Sequence, residues 1–116
     1  MLTSKEMAQK AVKILDEKKA ENIRVIDISE VSILCDYFII AEGGNRNHLQ
    51  ALADNVEKEL ADAKVFPKHI EGYESANWVL MDYTDIIVHI FDHENRLFYD
   101  LERIWRDGKE LEIENF

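Results

Sequence analysis

Behind Thr3, the apolar residues Met7, Ala8, Ala11, Val12 and Leu15 recur at three- and four-residue steps, and Thr3 with Glu6 has the spacing of a capping box. The spacing predicts an amphipathic first helix ending near Asn22, with Lys10, Lys13, Glu17 and Lys18 on its wet side. Residues 23–28 form a short β-rich run. Residues 35–41 are almost continuously apolar, as expected of a strand covered on both sides. Gly43 and Gly44 open into Asn45, a plausible helix cap, and Leu49, Leu52, Ala53, Val56 and Leu60 mark a second amphipathic helix. Pro67 ends the linker that follows, and residues 68–72 can supply a third strand.

Alternation resumes over 78–81 and 86–91 on either side of Asp82, Tyr83, Thr84 and Asp85, which predicts an antiparallel hairpin. With Tyr83 and Thr84 as the loop, Asp82 opposes Asp85, Leu80 opposes Ile87 and Trp78 opposes His89. These six residues then share one face, and Val79, Met81, Ile86, Val88 and Ile90 share the other. The second face is purely aliphatic and is assigned to the core. The first sets an aromatic residue, a histidine and two opposed carboxylates together, an arrangement that a cationic partner would favour. Leu97, Phe98, Leu101, Ile104 and Trp105 repeat at helical spacing over 95–106, and Gly108 marks the end of this last helix.

The elements sum to an α/β fold: a single domain over residues 1–108 with a mixed β-sheet of about five strands flanked by helices. An acidic tail, 109–116, follows, left open between a loose end and an added edge strand. The chain of 116 residues carries 24 acidic against 14 basic side chains, a net charge of -10, which repels phosphate backbones and anionic membranes. Direct sequence-specific binding to nucleic acid and attachment to a membrane are therefore not expected. The single Cys35 has no intramolecular disulfide partner and reads as a small core residue in a reducing compartment. No apolar signal core or membrane-length run is visible, so the protein reads as soluble and cytoplasmic.

The residues offer little chemistry. The turn GGNRNH follows a strand and starts a helix, like a phosphate-binding turn, but it lacks the further Gly of a dinucleotide site and the Lys of a Walker loop. Asp36 is followed by Tyr37 and Phe38, so the alternating acidic pair that a nucleotidyltransferase needs for metal ions is missing. Asp82, Asp85 and His89 lie on one predicted face, yet His89 stands two rungs from the carboxylates, too far for a shared metal. No enzyme activity, cofactor or metal is expected. The same face, with Trp78, Leu80 and Ile87 at its centre and Asp82, Asp85 and His89 around them, has the composition of an interface. Trp78 has two readings here, an interface anchor or a core residue under a helix. Arg96 and Tyr99 divide in the same way between helix-sheet packing and contact.

Several of these residues carry a resemblance to a family. Asp36, Phe38 and Ile39 in CDYFIIAEG, Arg46 and His48 in NRNHLQALAD, Glu71, Gly72, and NWVLMDYTDIIVHIF followed by ENRLFYDLERIW resemble the ribosomal silencing factors, also called Iojap-like proteins. The resemblance covers roughly residues 3–106. Thr84 stands where the family usually has Gly, and Asn45 where it usually has Ser.

The resemblance implies a fold related to the nucleotidyltransferase architecture, and a translational repressor that binds the large ribosomal subunit through its ribosomal protein fourteen. A body docked there blocks joining of the small subunit when nutrients are scarce. It also allows a homodimer. Carried onto this sequence, the implied partner-binding residues are Trp78, Leu80, Asp82, Asp85, His89, Arg96 and Tyr99. The alternative is a nucleotide-binding, degenerate nucleotidyltransferase-like protein.

Overall fold

In the computed structural model, which describes residues 2–30, 35–92, 109–111 and 116, the capping box forms as the spacing predicts. Thr3 Oγ1 accepts the Glu6 N–H at 3.1 Å, and Glu6 Oε1 accepts the Thr3 N–H at 3.0 Å. The Thr3 backbone N–H, and after it the Thr3 hydroxyl, hold the Glu6 carboxyl below its usual range. Helix α1 spans Ser4–Glu17 and buries Met7, Ala8, Ala11, Val12, Ile14 and Leu15. It stops five residues before the expected Asn22. The Lys19 N–H bonds the Asp16 carbonyl, the Ala20 N–H bonds the Leu15 carbonyl, and Lys19 itself adopts a left-handed φ of 67°. That is a Schellman ending with lysine in the place where glycine is usual.

Helix α2, Arg46–Asp62, starts from Asn45, whose side chain accepts the His48 N–H at 2.8 Å. It ends in the same way as α1. Lys64 at φ 65° donates to Ala61, and Val65 donates to Leu60.

Among the described residues, six strands build one mixed sheet: β1 (Glu21–Asp27), β2 (Tyr37–Glu42), β3 (His69–Glu71), β4 (Trp78–Asp82), β5 (Ile86–Phe91) and β6 (Lys109–Leu111). Their order is β3-β4-β5-β2-β1-β6. The central β2 and β5 run parallel, and every other pair is antiparallel. The tail left open by the sequence thus contributes an edge strand, β6, against β1. Phe116 then returns to α1, where its carbonyl accepts from Gln9 Nε2 at 2.6 Å.

Both described helices pack on one face of the sheet, and the predicted aliphatic set lies under them. Val79, Met81, Ile86, Val88 and Ile90 are all fully buried there. The opposite face has its own cluster of Ile26, Ile28, Cys35, Phe38, Ile40 and Phe91, with Trp78 and Ile87 packed against it. Cys35 belongs to this layer. Burial first, and then the charge of Asp36, pushes its thiol up to about 12, so it is an inert packing residue. The predicted helix over 95–106, and with it Arg96 and Tyr99, lies outside the described residues.

Candidate functional site

The hairpin that carries most of the candidate residues is in a different register from the expected one. Trp78 opposes Phe91, Leu80 opposes His89 and Asp82 opposes Ile87. The predicted pairs Asp82 with Asp85, Leu80 with Ile87 and Trp78 with His89 are therefore corrected by two residues. Tyr83 and Ile86 close the loop, Tyr83 N–H to Ile86 carbonyl at 2.9 Å, and the loop residues are Thr84 and Asp85. The Asp85 N–H returns to the Tyr83 carbonyl at 2.8 Å, a three-residue turn centred on Thr84 at φ 72°. Asp82 stabilises this turn by accepting the Thr84 N–H at 2.8 Å. Asp85 is exposed at the loop instead of facing Asp82, so the expected opposition of two carboxylates does not occur.

A shift of two leaves every side chain on its predicted face, because strand side chains alternate with a period of two. Three rungs of the face away from α1 and α2 follow from the register. One rung reads His69, Asp82, Ile87, Phe38 and Ile26; the next reads Glu71, Leu80, His89, Ile40 and Arg24; the third opens with Trp78 and Phe91. Trp78, Leu80, Asp82 and Ile87 are half-buried, whereas His89 is only 3% exposed. His89 is therefore not a rim residue, contrary to its expected place around the apolar centre.

Sequence reasoning missed two members of this face. His69 and Glu71, on the three-residue β3, stand beside Asp82 and Leu80 and extend the polar edge. His69 Nδ1 lies 3.9 Å from Asp82 Oδ2 and His69 Nε2 lies 3.7 Å from Glu71 Oε1. The only available signal was that residues 69 and 71 share a strand face.

Beneath the apolar centre sits an aromatic group. Trp78 stacks on Phe91 with centroids 5.1 Å apart, and Phe38 meets His89 edge-on at 4.8 Å. The indole N–H of Trp78 donates to His89 Nδ1 at 3.0 Å. This bond makes Nδ1 the acceptor, so the neutral ring carries its proton on Nε2, which is buried with no hydrogen-bond partner among the described residues. Burial pushes the imidazole down to about 4. The arrangement suits contact with a partner through Trp78 and Leu80. It does not suit proton transfer at neutral pH.

The loop 72–77 delivers the chain to Trp78 and is laced to α2. Arg46 donates to the Glu74 carbonyl at 2.7 Å, Gln50 donates to the Tyr73 carbonyl at 3.0 Å, and the Tyr73 hydroxyl donates to Asp54 at 3.0 Å. Gly72 opens this loop at φ 78°, and a Cβ there would lie 2.0 Å from the Trp78 carbonyl oxygen. Only glycine fits.

The turn at Gly43 and Gly44 is occupied by its own structure. Gly43 N–H bonds the Phe91 carbonyl, Gly44 N–H bonds His48 Nδ1 at 2.9 Å, and His48 Nε2 meets the Lys18 carbonyl at 2.9 Å. His48 thus ties the end of α1 to the start of α2, a structural role, and the N–H groups of both glycines are bonded within the chain. Asp36 likewise serves the fold, accepting from Ser4 Oγ at 2.7 Å while its N–H bonds the Asp85 carbonyl. Among the described residues, no group of three or more His, Cys, Asp or Glu is placed to hold a metal ion, and no helix is long and apolar enough to cross a membrane.

A family model described as ribosomal silencing factor during starvation matches residues 1–116. The chain is 35% identical over 113 residues to the ribosomal silencing factor of Halalkalibacterium halodurans, covering 97% of each chain. It is 33% identical over 107 residues to that of Bacillus subtilis, covering 92% of this chain and 91% of the relative. A crystal structure of a protein from Chromobacterium violaceum superposes with a TM-score of 0.87 at 33% identity, over 90% of this chain and 87% of that one.

Proposed function

Because this chain belongs to the ribosomal silencing factor family, a family of non-enzymatic ribosome-binding regulators of translation, we propose that it docks on the large ribosomal subunit through the outer face of the β4–β5 hairpin. The observation that carries the placement is the half-buried Trp78, seated on Phe91 and flanked by the half-buried Leu80 and Ile87. Large, partly exposed aromatic anchors dominate affinity at protein interfaces. Around them, Glu71 and Asp82 on the sheet and Asp85 on the loop give an acidic edge, in a chain of net charge -10. Such an edge suits a basic protein surface, and the partner we assign is ribosomal protein fourteen of the large subunit. Arg96 and Tyr99 complete the proposed contact set.

The proposed mechanism is steric. A domain held at the subunit interface occupies the space that the small subunit needs, and translation falls under nutrient limitation without any chemical step. Occupying a surface requires shape and affinity only, in keeping with a buried neutral His89 and with Asp36 engaged by Ser4. The proposed location is the cytoplasm, where the ribosomes are. A second copy of the chain is a further proposed occupant of the same apolar face, exchanged for the ribosome on docking.

The test is cosedimentation of the purified protein with isolated large subunits, followed by addition of small subunits and a count of joined ribosomes. Stoichiometric binding with joining suppressed is expected. A folded Trp78→Ala variant should lose about 2 kcal/mol or more of binding, roughly thirtyfold in affinity. A protein that stays in the supernatant at micromolar concentration refutes the assignment.

A further inference from the structure

The ring that meets Trp78 is not part of the exposed surface. His89 is 3% exposed and lies in an apolar layer with Ile40, Phe38 and Phe91. Packing alone does not explain an imidazole here. Its Nε2 is buried with no partner among the described residues, which is unfavourable for a polar N–H, and a phenyl ring would fill the same space without that cost. What a phenyl ring lacks is an acceptor at the position of Nδ1, the atom that receives the Trp78 indole N–H at 3.0 Å.

The surroundings fix the acceptor's direction. Phe38 meets the imidazole edge-on at an interplanar angle of 61°, and Phe91 lies nearly parallel to it at 11°, so the ring is held on two sides. Phe91 also stacks on the indole at 24°, which limits its tilt. Stacking defines the plane of the indole but not, by itself, where in that plane the N–H edge lies. The hydrogen bond from Nε1 to His89 Nδ1 supplies that direction.

We infer that His89 is a positioning residue of the proposed ribosome-binding face: by accepting the indole N–H it sets the edge that Trp78 presents before the partner arrives. The inference rests on the reading of Trp78 as an interface anchor. An anchor already held in its bound orientation loses less freedom on docking, so the gain appears as affinity. It also assigns His89 a role different from direct contact, since a residue this buried reaches the partner only through Trp78.

The test compares His89→Phe, which keeps a buried ring and removes the acceptor, with His89→Asn, whose side-chain oxygen sits close to the place of Nδ1. The first readout is the Trp78 indole N–H resonance in the free protein, assigned with Trp78→Phe. It should move upfield in His89→Phe and return toward the wild-type position in His89→Asn. The second is affinity for isolated large subunits, expected to fall about tenfold in His89→Phe and to recover to within about threefold in His89→Asn. Folded His89→Phe that binds like wild type, or His89→Asn that binds as weakly as His89→Phe, overturns the inference.

If His89→Phe does not fold, Trp78→Phe removes the donor and leaves the histidine in place; it should lose about tenfold, and wild-type affinity would overturn the inference equally. Trp78→Ala separates the two levels. Wild-type affinity in that variant defeats the anchor reading itself, whereas weakened binding there with unchanged His89 variants defeats only the positioning role.

Discussion

Acid should unfold this protein partly through one imidazole. His89 is neutral in the folded state, pushed by burial from 6.5 to about 4, and in the unfolded chain it returns to the ordinary value. The unfolded state therefore binds a proton between about pH 6.5 and pH 4 that the folded state refuses. Stability contributed by the neutral ring is complete above pH 6.5, falls as the pH drops through that window, and falls no further below about 4. The full difference corresponds to about 3 kcal/mol, and at pH 5.0 about 2 kcal/mol of it is lost. Urea unfolding at pH 7.5 and pH 5.0 measures this against His89→Phe, which has no proton to bind. Every other ionisable group is common to the two proteins and cancels in the difference. Wild type should lose about 2 kcal/mol more than the variant on acidification. Equal losses in the two proteins would refute the reasoning, because only a solvated His89, the same in the folded and unfolded chain, leaves nothing to distinguish them.

Four further changes test the backbone. Gly72→Ala adds a Cβ 2.0 Å from the Trp78 carbonyl oxygen at a φ of 78°, so it should cost roughly 2 kcal/mol or more in thermal or urea unfolding and alter Trp78 fluorescence. Thr84→Gly relieves a β-branched residue held at φ 72° and should stabilise the hairpin by about 1 kcal/mol, raising the melting temperature by a few degrees. Lys19→Gly and Lys64→Gly, at the left-handed ends of the two helices, should each add about 0.5–1 kcal/mol, read by circular dichroism melts; a loss of stability would contradict the Schellman assignment.

These same positions explain what the sequence could and could not disclose. The capping box at Thr3 and the aliphatic face of Val79, Met81, Ile86, Val88 and Ile90 were legible because cap chemistry and side-chain period leave direct marks on residue type. The end of α1 was not, because Lys19 occupies a left-handed position with no glycine to announce it. The hairpin register escaped for a related reason. A slip of one residue would have exposed the aliphatic set, but a slip of two preserves both faces, so hydrophobic pattern is blind to it. The turn decided the register, through the Asp82 side chain on the Thr84 N–H and the three-residue turn at Thr84. In the candidate site, Trp78, Leu80 and Asp82 were legible by alternation. His69 and Glu71 were missed because a strand of three residues is too short to show any. The depth of His89 was hidden as well, since burial depends on what β2 places beside it, and nothing local to the hairpin records that neighbour.

The parallel pairing of β2 with β5 has a bearing on how the protein comes into being. The hairpin is a local structure that can close on itself early, but β5 finds its place only when Ile86 reaches Tyr37 and Phe91 reaches Glu42, across all of α2 and the linker. Pairings between such distant segments form slowly, since the chain loses entropy closing the loop before the contacts repay it. The layer beneath Trp78 takes Phe38 and Ile40 from one side of that closure and His89 and Phe91 from the other. An excised hairpin would carry the anchor without its seat, and a growing chain acquires the seat only as its long-range topology closes.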